Sequence, residues 1–448
     1  MNASRLAHIV AGLTGCALIA SACGSDGSGT SDLPVAVESG PAPAEPAGAP
    51  TTGGSGGDEP PPPPEVEPFA ATPGVERAPA DDDTPIDALA AGLNGAGFEL
   101  LRLQPVDENV VFSPSSIGHA LLMASAAADE PTRAAIVDTF GLPDGAHAAW
   151  NAIDQVIADD QNDQVTVTIA DRIWPRLDVE PDQEWIDLLA AQHGADVQPL
   201  DFAGDPGGSR DAINGWVSDR TEGLIPTLLP EGFLRPQTVL VLTDTLYFEA
   251  DWARPFGKYG EQIASFTRLD GSSVGETFMV ELELDDRRGE GDGFVGAEIP
   301  YVGDDFSMLV IVPDEGRFEE VRNRLDQDLL DRVDAGFTTG PYELRLPKWE
   351  TTTAIDLAPW LSEIGAMPGS YPAISPPAVL GGAVHGADIA VDEMGTVAAA
   401  ATALGFEESG PPEPELVVAA DQPYLYVIRH RPTGLVLFAG QVTDPTIS

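Results

Sequence analysis

From about residue 86 onward, apolar and polar positions fall into two alternating periods that divide the chain into elements. Residues 87–103 and 184–193 repeat their apolar positions at helical spacing. Residues 165–174 alternate as a strand. Residues 239–248 form a mostly apolar run, the pattern of a central strand covered on both faces. The segments 298–301 and 308–313 predict a strand pair and 344–349 a further strand, and 421–429 with 433–442 predict a hairpin. Residues 109–112 predict a strand that ends at Ser113, because proline keeps the residue before it out of helical backbone. Ser115 or Ser116 then starts a helix that continues over 118–128.

One stretch fits neither period. Residues 389–391 alternate as a strand and 405–410 have acidic, glycine-bearing loop chemistry; between them lies Thr396-Val397-Ala398-Ala399-Ala400-Ala401-Thr402. Alanine is the best helix former and Thr396 could cap a short helix. The same residues could instead form a loop able to become a strand, with Thr396, Ala398, Ala400 and Thr402 on one face. All are small enough to enter an existing sheet without overpacking it, and Gly395 offers a permissive hinge.

Composition narrows the partners. The formal charge is −51 over 448 residues, and only Lys258 and Lys348 are lysines. Such a chain repels nucleic-acid phosphates and anionic membrane surfaces, and its acidity favours solubility. Both cysteines, Cys16 and Cys23, precede the globular pattern, so no disulfide or thiolate metal site is expected within it.

Arg5 followed by the apolar run 6–22 has the form of a secretory signal, too short and interrupted for a transmembrane helix. Leu13-Thr14-Gly15-Cys16 and Ala20-Ser21-Ala22-Cys23 both resemble the bacterial lipoprotein box, in which the cysteine receives lipid. Cys23 is the preferred site because it allows a fuller apolar region, with Cys16 as the alternative. Residues 23–83 are rich in Gly, Pro, Ser and acidic residues, with Pro60 to Pro64 unbroken. They cannot bury enough apolar surface to offset ordering, and a disordered tether is expected. The predicted division is signal 1–22, tether 23–83 and folded domain 84–448. The expected location is outside the cell, secreted or held at the surface by a lipid anchor.

Several segments in the folded part resemble one family in the same order. Asn109-Val110-Val111-Phe112-Ser113-Pro114-Ser115-Ser116-Ile117, Asn214-Gly215-Trp216-Val217 with Thr221-Glu222-Gly223-Leu224-Ile225, and Leu246-Tyr247-Phe248-Glu249 are similar to serpin sequence. So are the C-terminal strands and the hinge-like Glu393, Gly395, Thr396, Ala398, Ala399, Ala400, Ala401 and Thr402. The resemblance implies an α+β serpin fold: a large central mixed sheet, additional sheets, about eight to nine helices and an exposed reactive-centre loop. It also implies a protein that is not an enzyme and needs no cofactor. Such a protein is a monomeric suicide-substrate inhibitor of serine, or cysteine, endopeptidases. The cut loop inserts into the main sheet while the protease stays covalently attached. A non-inhibitory serpin acting as a binding module is the alternative.

The resemblance further places Ser113, Ser116 and His385 in the shutter, a polar cluster beneath the parting strands. Asp244 stands there where the family usually has Asn. A carboxylate beside His385 would favour its charged form and make sheet opening pH-dependent. Family spacing counted from Glu393 puts the reactive bond at Ser409-Gly410, with Glu408 as the alternative; Pro411 and Pro412 make poor sites, and Leu404 or Phe406 would leave a short loop.

Two enzyme readings fail on context. Gly271-Ser272-Ser273-Val274-Gly275 satisfies a nucleophile-elbow pattern, but Asp270-Gly271 predicts a hairpin turn and 274–280 a strand rather than a helix. The six histidines show no metal-ligand spacing, so no metal is expected.

Overall fold

The computed structural model describes residues 12–22, 72, 74–81, 83–257, 261–396 and 414–447. In chain order the elements are β1 (Gly12–Ala22), α1 (Ile86–Leu103), β2 (Val110–Phe112), α2 (Pro114–Ser125), α3 (Glu130–Phe140), α4 (Ala146–Asp159), β3 (Val165–Pro175), α5 (Gln183–His193), β4 (Asp196–Val197) and α6 (Pro206–Arg220). There follow β5 (Thr238–Asp251), β6 (Glu261–Thr267), β7 (Ser273–Gly291), β8 (Phe294–Pro300), β9 (Phe306–Pro313), α7 (Phe318–Asn323), α8 (Gln327–Gly336), β10 (Thr338–Pro347), β11 (Trp349–Asp356), α9 (Ala358–Glu363), β12 (Ala378–Val391), β13 (Gly395–Thr396), β14 (Val417–Ala419), β15 (Tyr424–His430) and β16 (Leu435–Val442).

The strands make two sheets of seven and nine strands. In the seven-stranded sheet β11 pairs with β12 and β5 with β3, all antiparallel, whereas β3 and β4 are parallel. The sheet is therefore mixed, as the resemblance implies. Strand β5 is buried along nearly its whole length, in keeping with its apolar run. The nine-stranded sheet runs β14-β10-β7-β8-β9-β15-β16-β2, with β6 against β7. Here β9, β15 and β16 are buried at every position.

Helix α2 runs beneath the seven-stranded sheet and is buried at all twelve residues. Its start differs from the sequence expectation. Ser113, in extended backbone, is the cap and accepts from the Ser116 N–H at 3.0 Å, while Pro114 occupies the first helical turn. Proline suits that place because its missing N–H would have had no helical partner. Helices α1 and α2 cross closely at two glycines. A Cβ on Gly97 would lie 2.4 Å from the Pro114 ring, and one on Gly118 2.6 Å from Leu93 Cδ2.

Two N-terminal regions have a place in the structure. Residues Gly12–Ala22 form β1, antiparallel to both β12 and β5 and seated between them. The apolar, small-residue run read as a secretory signal is also a run that fits a strand buried within a sheet. The last part of the stretch read as tether is pinned to the domain: Arg77 Nη2 pairs with Asp154 at 2.6 Å and the Thr72 hydroxyl donates to Asp187 at 2.7 Å. One arginine in an acidic, Pro-rich segment suffices for that docking. The remaining residues of the expected tether lie outside the described residues. No helix among the described residues is long and apolar enough to cross a membrane.

Candidate functional site

Two parts of the seven-stranded sheet carry the features singled out from sequence. At one end, β12 turns into β13 at Asp392, whose carboxylate accepts from the N–H groups of Met394 and Gly395 at 2.7 and 3.3 Å. Residues Gly395 and Thr396 then pair with Asp251 and Ala250 of β5. Gly395 is needed here for close approach: a Cβ would lie 2.1 Å from the Ala250 carbonyl oxygen. Thr396 is fully buried, its hydroxyl 2.6 Å from the Tyr301 hydroxyl. Tyr301 stacks on Trp252 at 4.5 Å, and the Trp252 indole N–H donates to the Asp392 carbonyl. Glu393 pairs with Lys348 at 2.6 Å, which holds its carboxyl below the ordinary range despite partial burial. Ala398, Ala399, Ala400, Ala401, Thr402, Leu404, Phe406, Glu408, Ser409, Gly410, Pro411 and Pro412 lie outside the described residues, as does Cys23.

At the middle of the sheet, α2 presents its N-terminus to the strands. The Ser113 N–H donates to His385 Nε2 at 3.1 Å, and its hydroxyl lies 3.0 Å from that of Ser115. Ser116 donates to one oxygen of Asp244. The structure thus brings Ser113 to His385 and Ser116 to Asp244, but not Asp244 to His385. In register, Cys16 of β1 stands opposite both, so two strand spacings, about 10 Å, separate them. The expectation of a charged His385 is corrected accordingly. Burial alone pushes it down to about 3, and its Nε2 must be bare to accept from Ser113.

Asp244 has a different partner, which sequence reasoning missed. Its second oxygen lies 2.6 Å from His119 Nδ1; His119 Nε2 lies 2.7 Å from His193 Nδ1, and His193 Nε2 lies 2.8 Å from His147 Nδ1. All three rings can be neutral in one consistent direction, each Nδ1–H donating towards the carboxylate. Burial, with His119 beside it, lowers His147 to about 4 and drives His193 well down too. Asp171 stands directly across from Asp244 on β3, buried, and burial followed by the Asp244 charge pushes its carboxyl well up. Positions 119, 147, 171, 193 and 244 show no motif spacing. The available signal was an acid in the middle of each of two predicted strands, one of them, 239–248, predicted to be covered on both faces.

The nucleophile-elbow pattern resolves as expected: Ser273 opens β7 opposite Thr267 in a hairpin, with Gly271 left-handed in the turn. No strand-to-helix turn surrounds it.

A family model described as "Serpin (serine protease inhibitor)" matches residues 94–445. The chain is a serpin. Serpins are in general protease inhibitors rather than catalysts. An uncharacterized serpin-like protein of Methanosarcina acetivorans is 30% identical, over 80% of this chain and 86% of its own. Plasminogen activator inhibitor 1 of Mus musculus is also 30% identical, covering 76% of this serpin and 87% of itself. The crystal structure of the thermophilic serpin tengpin in its native state superposes with a TM-score of 0.72 at 21% identity, over 84% of this chain and 97% of that one, a likeness of fold. The mixed central sheet, the additional sheet and nine helices among the described residues make up that serpin fold.

Proposed function

We propose that this serpin is a suicide-substrate inhibitor of endopeptidases of the serine class, with the cysteine class as a second target range, acting as a monomer that ends in a covalent complex. The observation that carries this reading is the seat of β13. Gly395 and Thr396 enter the sheet between β12 and β5, and the residues after them are small. A strand continuing from Thr396 would run antiparallel to both neighbours. That the sheet accepts a strand there is supported by β1, which pairs with β12 and β5 over some ten residues on each side. Insertion adds a full set of ladder hydrogen bonds, and the bound protease would be carried with the loop before its acyl bond hydrolyses.

Ser409-Gly410 is the proposed reactive bond, with Glu408 as the alternative. Incubation with a panel of serine proteases should give an SDS-stable complex with at least one, releasing a C-terminal peptide that begins at Gly410. Cleavage in the loop by every protease tried, with no complex, would remove the inhibitory reading. Ala400→Asp should turn inhibitor into substrate by bringing a charge into the sheet, raising the stoichiometry of inhibition roughly tenfold or more. Unchanged complex formation by that variant would rule out insertion.

Lipidation at Cys23, or Cys16, would anchor the domain outside the cell. Cleavage before Cys23 also removes β1 and leaves the place between β5 and β12 free. This favours a second reading for the uncut chain: with Gly12–Ala22 in the sheet, the protein is a non-inhibitory serpin. A chain beginning at Cys23 that traps protease, beside a full chain that does not, would establish the difference; equal trapping would discard the second reading.

A further inference from the structure

We propose that His119, Asp171 and Asp244 form a zinc site between α2 and the β3–β5 strand pair. One ligand atom from each lies within 4.8 Å of the other two, and all three residues are buried. The first supporting observation is charge. Two carboxylates stand side by side in the sheet, and among the described residues the only basic group within ion-pair reach of either is His119. A single imidazole cannot neutralise both. The second is an orphan atom: Asp171 Oδ1 is buried without a hydrogen-bond partner and sits 3.4 Å from His119 Nδ1. Buried polar atoms are rarely left so, and an unfilled cation position accounts for this one.

The donor set and its surroundings suit zinc. Bonds of about 2.0–2.2 Å from nitrogen and oxygen place neighbouring ligand atoms roughly 3.2–3.5 Å apart in a tetrahedron. The His119–Asp171 separation already meets this, and the His119–Asp244 contact of 2.6 Å opens by under about 1 Å as a proton gives way to the metal. Ser116 holds the other Asp244 oxygen, leaving Oδ2 free to ligate. With metal on His119 Nδ1, its remaining N–H moves to Nε2 and donates to His193, whose own Nε2–H donates to His147. Such a chain fixes the ligand ring and raises its basicity. Two carboxylates and one imidazole supply too few oxygens for calcium or magnesium. Zinc here would tie two strands of the sheet to the helix beneath it. The site does not depend on the inhibitory reading, and its test does not measure inhibition.

The full chain is dialysed against chelator, then against zinc chloride, and metal content is measured after removal of loosely held ions in high salt. The expected result is a single zinc per chain and an unfolding temperature higher by about 5 °C than in chelator. Asp171→Asn, which replaces the carboxyl with an uncharged amide of the same shape and should fold, is expected to lose both the bound zinc and the thermal shift, while His385→Gln keeps them. Cobalt in place of zinc should give visible absorption bands that Asp171→Asn lacks. Folded wild-type protein that retains no zinc would overturn the proposal, leaving a carboxyl pair that shares a proton. Equal zinc retention by Asp171→Asn would also overturn it, by placing the ions on the acidic surface.

Discussion

Both sheets bury carboxylates, but they treat them in opposite ways. In the nine-stranded sheet, Glu298 of β8 meets Arg429 of β15 at 2.7 Å and Arg287 of β7 at 2.6 Å, and accepts from the Ser307 hydroxyl at 2.8 Å. Burial would raise its carboxyl, yet Arg429 and its neighbours bring it below the ordinary value. In the seven-stranded sheet, Asp171, Asp244 and Asp388 are buried with no arginine or lysine within ion-pair reach among the described residues. Burial pushes Asp171 and Asp388 up instead. Fully matched charges lock an arrangement, since any movement strands one of them. Groups held only by hydroxyls and imidazoles, with no matched arginine or lysine, can be exchanged for others at lower cost. The sheet that matches its buried Glu298 with arginines is suited to staying fixed; the one beneath which α2 presents Ser113, Ser116 and His119 is suited to the parting that the proposed insertion requires.

The largest effect should come from breaking the locked sheet. Arg429→Met leaves Glu298 buried with Arg287 at 2.6 Å and Arg431 only at 3.8 Å, and removes the link to Asp334, which pairs with Arg429 at 2.6 Å. A loss of about 4 kcal/mol in unfolding free energy is expected by denaturant titration. Because the proposed insertion is into the seven-stranded sheet, the ratio of trapped to cleaved product should stay the same for whatever folds. A loss below about 1 kcal/mol would mean that the pair locks nothing.

Next in size is the parting sheet's response to acid. The fold holds His385 neutral, whereas the unfolded chain protonates it at its ordinary value of 6.5. Stability contributed by this residue is therefore complete above pH 6.5 and is lost as pH falls towards 3. Between pH 7 and pH 4 the loss amounts to about 3 kcal/mol. His385→Gln can still accept from the Ser113 N–H through its amide oxygen, and its stability should fall less over the same range. If wild type and variant lose stability in parallel from pH 7 to pH 4, His385 is not the titrating group.

This contrast was only half visible in the sequence. Strands β5, β9, β15 and β16 were legible because long apolar or alternating runs have few other solutions, and α1 and α5 because their period is clear. The Ser113-Pro114 signal placed the end of β2 correctly and misplaced the cap by reserving it for a later serine. The family likeness drew attention to Ser113 and Ser116, and the packing shows which strand residues they meet. The partner of Asp244 could not follow from it, because a departure from a family pattern states what is missing and not what replaces it. His119 is one helical turn beyond Ser116 on α2, and His193 and His147 lie on two further helices. Only the packing of α4 and α5 beside α2 joins them. Likewise, nothing local says that a Cβ at 395 would strike the Ala250 carbonyl.

The smallest effect tests whether an unmatched acid weakens the parting sheet at working pH. Asp388 of β12 lies opposite Thr352 of β11, whose hydroxyl donates to it, and burial raises its carboxyl from 3.8 to about 6 despite that bond. The folded state therefore favours the proton. The stability this group contributes is present below pH 4, and is lost as pH rises through about 6. Above that, a charge sits in the sheet with one hydroxyl for company. Asp388→Asn keeps an oxygen for Thr352 and carries no charge. It should raise stability by about 2 kcal/mol at pH 8 and by almost nothing at pH 4. A gain of equal size at both pH values would assign the effect to packing, and no gain at pH 8 would show that the carboxylate is solvated where it stands. The corresponding change in the other sheet, Glu298→Gln, has the opposite sign, because there the charge is what the arginines require.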